Sequence, residues 1–307
     1  MYFTKKKFLI QYIFLVLIFF CKTYNSKELA LKYVPEGKYI FIDSRGIFVI
    51  EKNLKLSKGL TPLFLIHGFS SNIHTWEEFI KNFPIPYPIV AMDLLGFGFS
   101  DKPEVPYSRD AYLNLIFNIQ NFYSFEKVIL IGNSMGGELS LRYTLKYPKR
   151  VHKLVLINSS GLIEIKHPPY FLKKIYVSFL SITEFLLVNR PVVRYALRSA
   201  FYDPSKVTHK KVDFYYLPLK TEGGTLAHKG LFLSNYQKLS LDELKTIQTP
   251  TLILWGLNDP WIPLEHAFLF YQNINNSKLI LLPDTGHIAQ EESPEQMIPY
   301  VISFIKE

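Results

Sequence analysis

Short hydrophobic runs punctuate the chain. They fall at 38–43 (KYIFID), 47–51 (IFVIE), 63–67 (LFLIH), 89–93 (IVAMD), 128–132 (VILIG), 154–158 (LVLIN), 251–255 (TLILW) and 278–282 (KLILL). Several are apolar without alternation, the pattern of parallel strands covered on both faces. The stretches 110–123, 135–147, 264–273 and 294–306 between them have helical character. Ser293-Pro294 followed by Glu295 and Gln296 marks a helix start, with a serine cap and proline at the first helical position. Strands alternating with helices predict a doubly wound α/β domain.

The rhythm breaks once. From 162 to 241 no strand is evident, while 171–188 and 191–201 look helical. This predicts a mostly helical insertion between the sixth and seventh strands, with the core formed by 27–161 and 242–307. The first 26 residues are set apart. Lys5, Lys6 and Lys7 precede an apolar run from Phe8 to Cys21, broken by Gln11. That is the layout of a signal peptide or a short N-terminal membrane anchor. It implies a protein that is exported or membrane-associated. Bulky Phe19 and Phe20 before Cys21 argue against lipidation of that cysteine.

Composition narrows the chemistry. The 307 residues are 48% hydrophobic, enough for one large domain carrying an insertion. Cys21 is the only cysteine, which excludes an internal disulfide framework and a cysteine-rich zinc site. The formal charge of +9 suits nucleic acid or a membrane surface. No helix-turn-helix, zinc-finger or RNP-type pattern occurs, so no nucleic-acid partner is expected. Residues 162–240 hold twelve Lys or Arg against five Asp or Glu. Aromatic and aliphatic residues interleave with those cations, as at a membrane interface. The same apolar positions would equally pack on the core and line a pocket.

Gly132-Asn133-Ser134-Met135-Gly136 fits Gly-x-Ser-x-Gly between a strand and a helix. Such a turn forces the serine into an unfavourable backbone conformation and lifts its hydroxyl clear of the sheet. A serine nucleophile needs a base. His287, in Asp284-Thr285-Gly286-His287 after the last strand, is the candidate among eight histidines. Asp259, in the loop leaving 251–255, is the candidate carboxylate to orient it. Asp284 lies too close to His287 in sequence, and Asp93 suits a loop-shaping role. The backbone N–H groups of Phe69 and Met135 are the expected oxyanion donors. His67 is expected to support its loop.

With these motifs in order, the sequence resembles the α/β-hydrolase family from about residue 35 to its end. HGF (67–69) looks like the oxyanion loop, and DLLGFGFSD (93–101) is similar to the loop after the fourth strand. GNSMGG (132–137) looks like the nucleophile elbow, GLNDPWIP (256–263) like the acid loop and TGHIAQEESPE (285–295) like the histidine loop. The resemblance implies an α/β-hydrolase fold: a mostly parallel eight-stranded sheet flanked by helices, with a helical lid at 162–241 after strand 6. It implies no cofactor and no metal. Epoxide-opening and dehalogenating members use aspartate where this chain has Ser134. The expected activity is a serine esterase or lipase acting on lipid-like or apolar carboxylic esters. The alternative is a carbon–carbon bond hydrolase of diketone acids, which needs a pocket cation such as Arg190, Arg194 or Arg198. An inactive, ligand-binding member is a third possibility.

Overall fold

The computed structural model describes residues 24–55, 59–164 and 169–307. The apolar segment 8–21 lies outside them. Eight strands form one sheet in the order β1-β2-β4-β3-β5-β6-β7-β8. They are β1 (Gly37–Ile42), β2 (Arg45–Lys52), β3 (Leu63–Ile66), β4 (Ile89–Met92), β5 (Val128–Asn133), β6 (Val151–Ile157), β7 (Thr251–Gly256) and β8 (Ser277–Leu282). β2 runs antiparallel to β1 and β4; every other pairing is parallel.

The uninterrupted apolar runs have a direct physical cause. β3, β4, β5 and β7 are buried along their whole length. Successive side chains point to opposite faces, so each strand feeds two cores. Leu63, Leu65, Ile129, Ile131, Leu252 and Leu254 join one cluster. Phe64, Ile66, Val128, Leu130, Ile253 and Trp255 join the other. Phe79 and Ile80 of α2 (Glu77–Asn82), with Met297, Val301 and Phe304 of α11 (Pro294–Lys306), cover the first. α3 (Arg109–Phe122), α4 (Met135–Lys146) and α10 (Glu265–Asn273) cover the second through Ile116, Leu139 and Phe270. Burying each such side chain contributes about 1.5–3 kcal/mol.

β3 lies between β4 and β5, so the chain reverses its direction of winding there. Loops leaving the carboxyl ends of β3 and β5 open a crevice at this point, the usual ligand position in open α/β sheets. These loops carry His67-Gly68-Phe69 and Ser134.

Between β6 and β7 lie α5 (Tyr170–Leu187), α6 (Arg190–Ala200), α7 (His209–Leu219) and α8 (Leu226–Leu233). α9 (Leu241–Lys245) returns the chain to the sheet, with Leu239 N donating to Gly161 O at 2.7 Å. The folded part also begins earlier than residue 27. Asn25 caps α1 (Ser26–Tyr33), accepting from the N–H of Lys27 and Glu28. Tyr24 N donates to Lys220 O at the end of α7. Tyr24 is therefore tied to the insertion, while Ser26 Oγ donates to Phe99 O in the core at 3.2 Å.

Candidate active site

Ser134 is the only residue between β5 and α4, and it turns the chain with φ 55° and ψ −119°. A residue with a side chain rarely holds that conformation unless its surroundings enforce it. Here Ser134 N donates to Ile157 O and Ser134 O accepts from Ser160 N, both at 3.0 Å. The flanking glycines permit close approach. A Cβ on Gly136 would lie 2.1 Å from Ile66 O, and one on Gly132 2.3 Å from Gly136 O. Met135 opens α4, so its N–H has no intrahelical acceptor.

His287 sits in the loop after β8, with Nδ1 2.7 Å from Asp259 Oδ2. Asp259 follows β7, and its side chain is buried. Four donors converge on that carboxylate. Asn158 Nδ2 (2.7 Å) and His287 Nδ1 reach Oδ2; the N–H groups of Trp261 (2.8 Å) and Ile262 (3.0 Å) reach Oδ1. An ionised carboxylate only accepts, so Nδ1 carries the imidazole proton and Nε2 is left as an acceptor. No described residue bonds to Nε2, and no hydrogen bond joins it to Ser134 Oγ in this conformation. Such contacts commonly tighten when substrate binds.

Ser134, Met135, Phe69 and His287 all line one cavity of about 500 Å³. The insertion contributes Val193, Leu197, Leu231 and Phe232 to its walls. A larger cleft of about 1230 Å³ lies between α1, the 100–104 loop and the end of α7, and includes none of these four groups.

His67 is fully buried with both ring nitrogens engaged. Nδ1 lies 2.7 Å from Gly68 O, and Nε2 accepts from Leu94 N at 3.0 Å. Burial pulls its pKa down to about 4. Asp93 is also buried, accepting from the N–H of Ile73 and Phe99. Neither residue lines the cavity.

None of Arg190, Arg194 and Arg198 lines the cavity either. Arg190 pairs with Asp213 and Arg194 contacts His209, on the outside of the insertion. The buried side of α6 is Val193, Leu197 and Ala200, which leaves Arg194 and Arg198 facing away. The cavity cation is instead Arg109 of α3, whose Nε lies 3.2 Å from Glu138 Oε1. Glu138 also pairs with Arg142 and accepts from Ser160 Oγ.

Three positioning residues escape sequence inspection. Asn158 holds Asp259 and accepts from Gly256 N. Asn133 Nδ2 donates to His287 O at 3.0 Å, joining the histidine loop to the elbow. Glu292 accepts from Gly286 N, Tyr202 N and Asp203 N, and His287 N donates to Ala200 O. The histidine loop is thus fastened to the end of α6. A polar residue at the carboxyl end of an apolar strand was the available signal for Asn133 and Asn158.

Comparison with known proteins follows the same lines. The chain is 29% identical over 257 residues to the hydrolase YugF of Bacillus subtilis, covering 81% of this chain and 91% of that one. It is 26% identical over 280 residues to the 2-hydroxy-6-oxo-6-(2'-aminophenyl)hexa-2,4-dienoic acid hydrolase of Metapseudomonas resinovorans, covering 88% and 92%. Among solved structures, a bacterial membrane phospholipase A superposes with a TM-score of 0.73 at 21% identity, covering 98% of each chain. The family model for the alpha/beta hydrolase fold matches residues 61–294. This chain belongs to the alpha/beta hydrolase fold family.

Proposed function

We propose that the protein is a serine hydrolase that cleaves carboxylic esters of apolar, lipid-like substrates through an acyl-enzyme. Ser134 Oγ attacks the ester carbonyl while His287 Nε2 takes its proton. Asp259 holds the imidazole in the tautomer with Nε2 free and stabilises the imidazolium that forms. The N–H groups of Phe69 and Met135 bind the developing oxyanion; one such donor is worth about 10²–10³ in rate. His287 then protonates the leaving alcohol, and water hydrolyses the acyl-enzyme by the same route.

The observation that carries the ester assignment is the cavity wall. Val193, Leu197, Leu231, Phe232, Ile163 and Ile288 make it apolar, and its cation Arg109 is already paired with Glu138. A substrate with a free carboxylate would have to compete with Glu138 for that guanidinium. An apolar acyl chain needs only the wall.

The similarity to the dienoic acid hydrolase favours the second reading, carbon–carbon bond cleavage. On that reading Arg109 exchanges Glu138 for the substrate carboxylate. Hydrolysis of p-nitrophenyl esters from acetate to palmitate separates the two. Ser134-dependent activity that rises with chain length supports the ester reading. Turnover of a ring-cleavage diketone acid, with none on any ester, overturns it.

A further inference from the structure

The outer face of α5 is apolar and uncovered among the described residues. Tyr170, Phe171, Ile175, Tyr176 and Phe179 are each at least half exposed. Phe171, Ile175 and Phe179 recur at four-residue intervals, so they form one stripe along the helix. The other side of α5 is anchored: Lys173 is buried and its Nζ donates to Ser234 O at 3.2 Å. A contiguous exposed apolar patch of this kind marks an interaction surface.

Two further observations say what covers it. The insertion has twelve Lys or Arg against five Asp or Glu over 162–240, and exposed Lys174 lies over the Tyr170 ring at 5.1 Å. An insertion with that excess of cations repels a second copy of itself and attracts an anionic surface. Next, the described chain begins at Tyr24, bonded to Lys220 O. Tyr24 and Ser181 of α5 line the same cleft. In the sequence, the lysine-led apolar stretch 5–21 immediately precedes this point.

We propose that the α5 stripe is a docking surface for a lipid bilayer with anionic headgroups. The helix lies in the interface with its aromatic rings at headgroup depth and Lys174 against lipid phosphate. It does not span: no described helix is long and apolar enough to cross a membrane. The Tyr176 ring lies 5.2 Å from that of Phe232, and Phe232 lines the active-site cavity. The bilayer then meets the rim of the cavity. Supply of ester lipid directly from the membrane is the consequence, and that extension alone rests on the ester reading.

The test uses the full chain with Cys21→Ser and Ile175→Cys, labelled at 175 with an environment-sensitive fluorophore. The proposal predicts solvent-exposed emission in buffer. It predicts a blue shift, with co-flotation, on phosphatidylcholine vesicles containing phosphatidylglycerol. The triple variant Phe171→Glu, Ile175→Glu, Phe179→Glu should lose flotation by about tenfold or more, while hydrolysing a soluble short-chain ester at the unaltered rate. A probe already blue-shifted in buffer overturns the proposal, because the chain's own N-terminal segment or a second copy then covers the stripe. Flotation of the triple variant equal to that of the parent overturns it too. Stripe-dependent flotation in a protein that cleaves no ester leaves docking standing and removes the ester reading.

Discussion

Two places in the sheet put a histidine and an aspartate in loops at the carboxyl ends of strands. His67 and Asp93 follow β3 and β4; His287 and Asp259 follow β8 and β7. All four side chains are buried. The difference lies in which hydrogen-bonding positions are left over. Both His67 nitrogens are spent on backbone, and Asp93 faces two backbone N–H groups. At the other end, Asp259 keeps one oxygen for His287 Nδ1, and the remaining imidazole nitrogen opens on the cavity. The same residue types build a scaffold in one loop and, on the proposed mechanism, a base with its orienting carboxylate in the other. Burial does not distinguish them; what surrounds the second imidazole nitrogen does, a backbone N–H for His67 and the cavity for His287.

The sharpest way to break this comparison is to remove each histidine. His287→Gln should lower kcat by about 10⁴-fold or more, with little change in thermal midpoint. His67→Gln should do the reverse. It disrupts two buried hydrogen bonds and should cost about 2–3 kcal/mol in chemical denaturation, with kcat per folded molecule changed only a few-fold. Similar kcat losses in both variants would erase the distinction.

The carboxylates come next. Asp259→Asn should lower kcat by about 10⁴-fold, because an amide no longer fixes the productive tautomer. Asn158→Ala frees one side of Asp259 and should lower kcat by about 10-fold to 100-fold through misplacement alone. Steady-state kinetics on a short-chain ester measures both.

The Asp93 loop has its own pH signature. Burial lowers His67 from 6.5 to about 4, so its stabilising neutral form is fully present above pH 6.5 and lost as pH falls to about 4. Burial raises Asp93 from 3.8 to about 7, only partly offset by the N–H groups of Phe99 and Ile73. Its contribution runs the other way, present below pH 3.8 and lost as pH rises to about 7. Between about pH 4 and 6.5 the two oppose. Asp93→Asn removes the second. Relative to the parent, it should lose a further 3 kcal/mol or about that as pH drops from 6.5 to 4, read by urea unfolding at each pH. A constant difference across that range would contradict the assignment.

The smallest effect is expected at the join with the insertion. Glu292→Gln weakens the acceptor for Gly286, Tyr202 and Asp203. It should cost about 1–2 kcal/mol and raise hydrogen exchange in the histidine loop.

Local chemistry was legible in the sequence; long-range bonding was not. The elbow around Ser134 shows because small residues at 132 and 136 are demanded by contacts within a few residues and by the adjacent strand end at Ile66. Asp259 and His287 show because each follows an apolar strand. Asn158 and Asn133 act on partners 101 and 154 residues away, so no local pattern reveals them. The helices α7 and α8 were missed because α7 carries Pro218 and buries Val212, Phe214, Tyr215 and Leu217 without a clean stripe. The arginines of α6 offer the right charge for a substrate carboxylate but do not line the cavity. Val193, Leu197 and Ala200 mark the inner face, and positions 194 and 198 fall off it, while Arg190 opens the helix paired with Asp213. Arg109 went unnoticed because it opens a helix far away in sequence and meets Glu138 only in the fold.

The central claim is that Ser134 is a nucleophile activated by the His287–Asp259 pair. The most direct measurement is intact-mass and peptide mapping after brief exposure to a fluorophosphonate. One adduct on Ser134 in the parent, slowed by about 10³-fold or more in His287→Gln, is the predicted result. A folded parent protein that takes up no label, or labels Ser134 equally fast without His287, would contradict it.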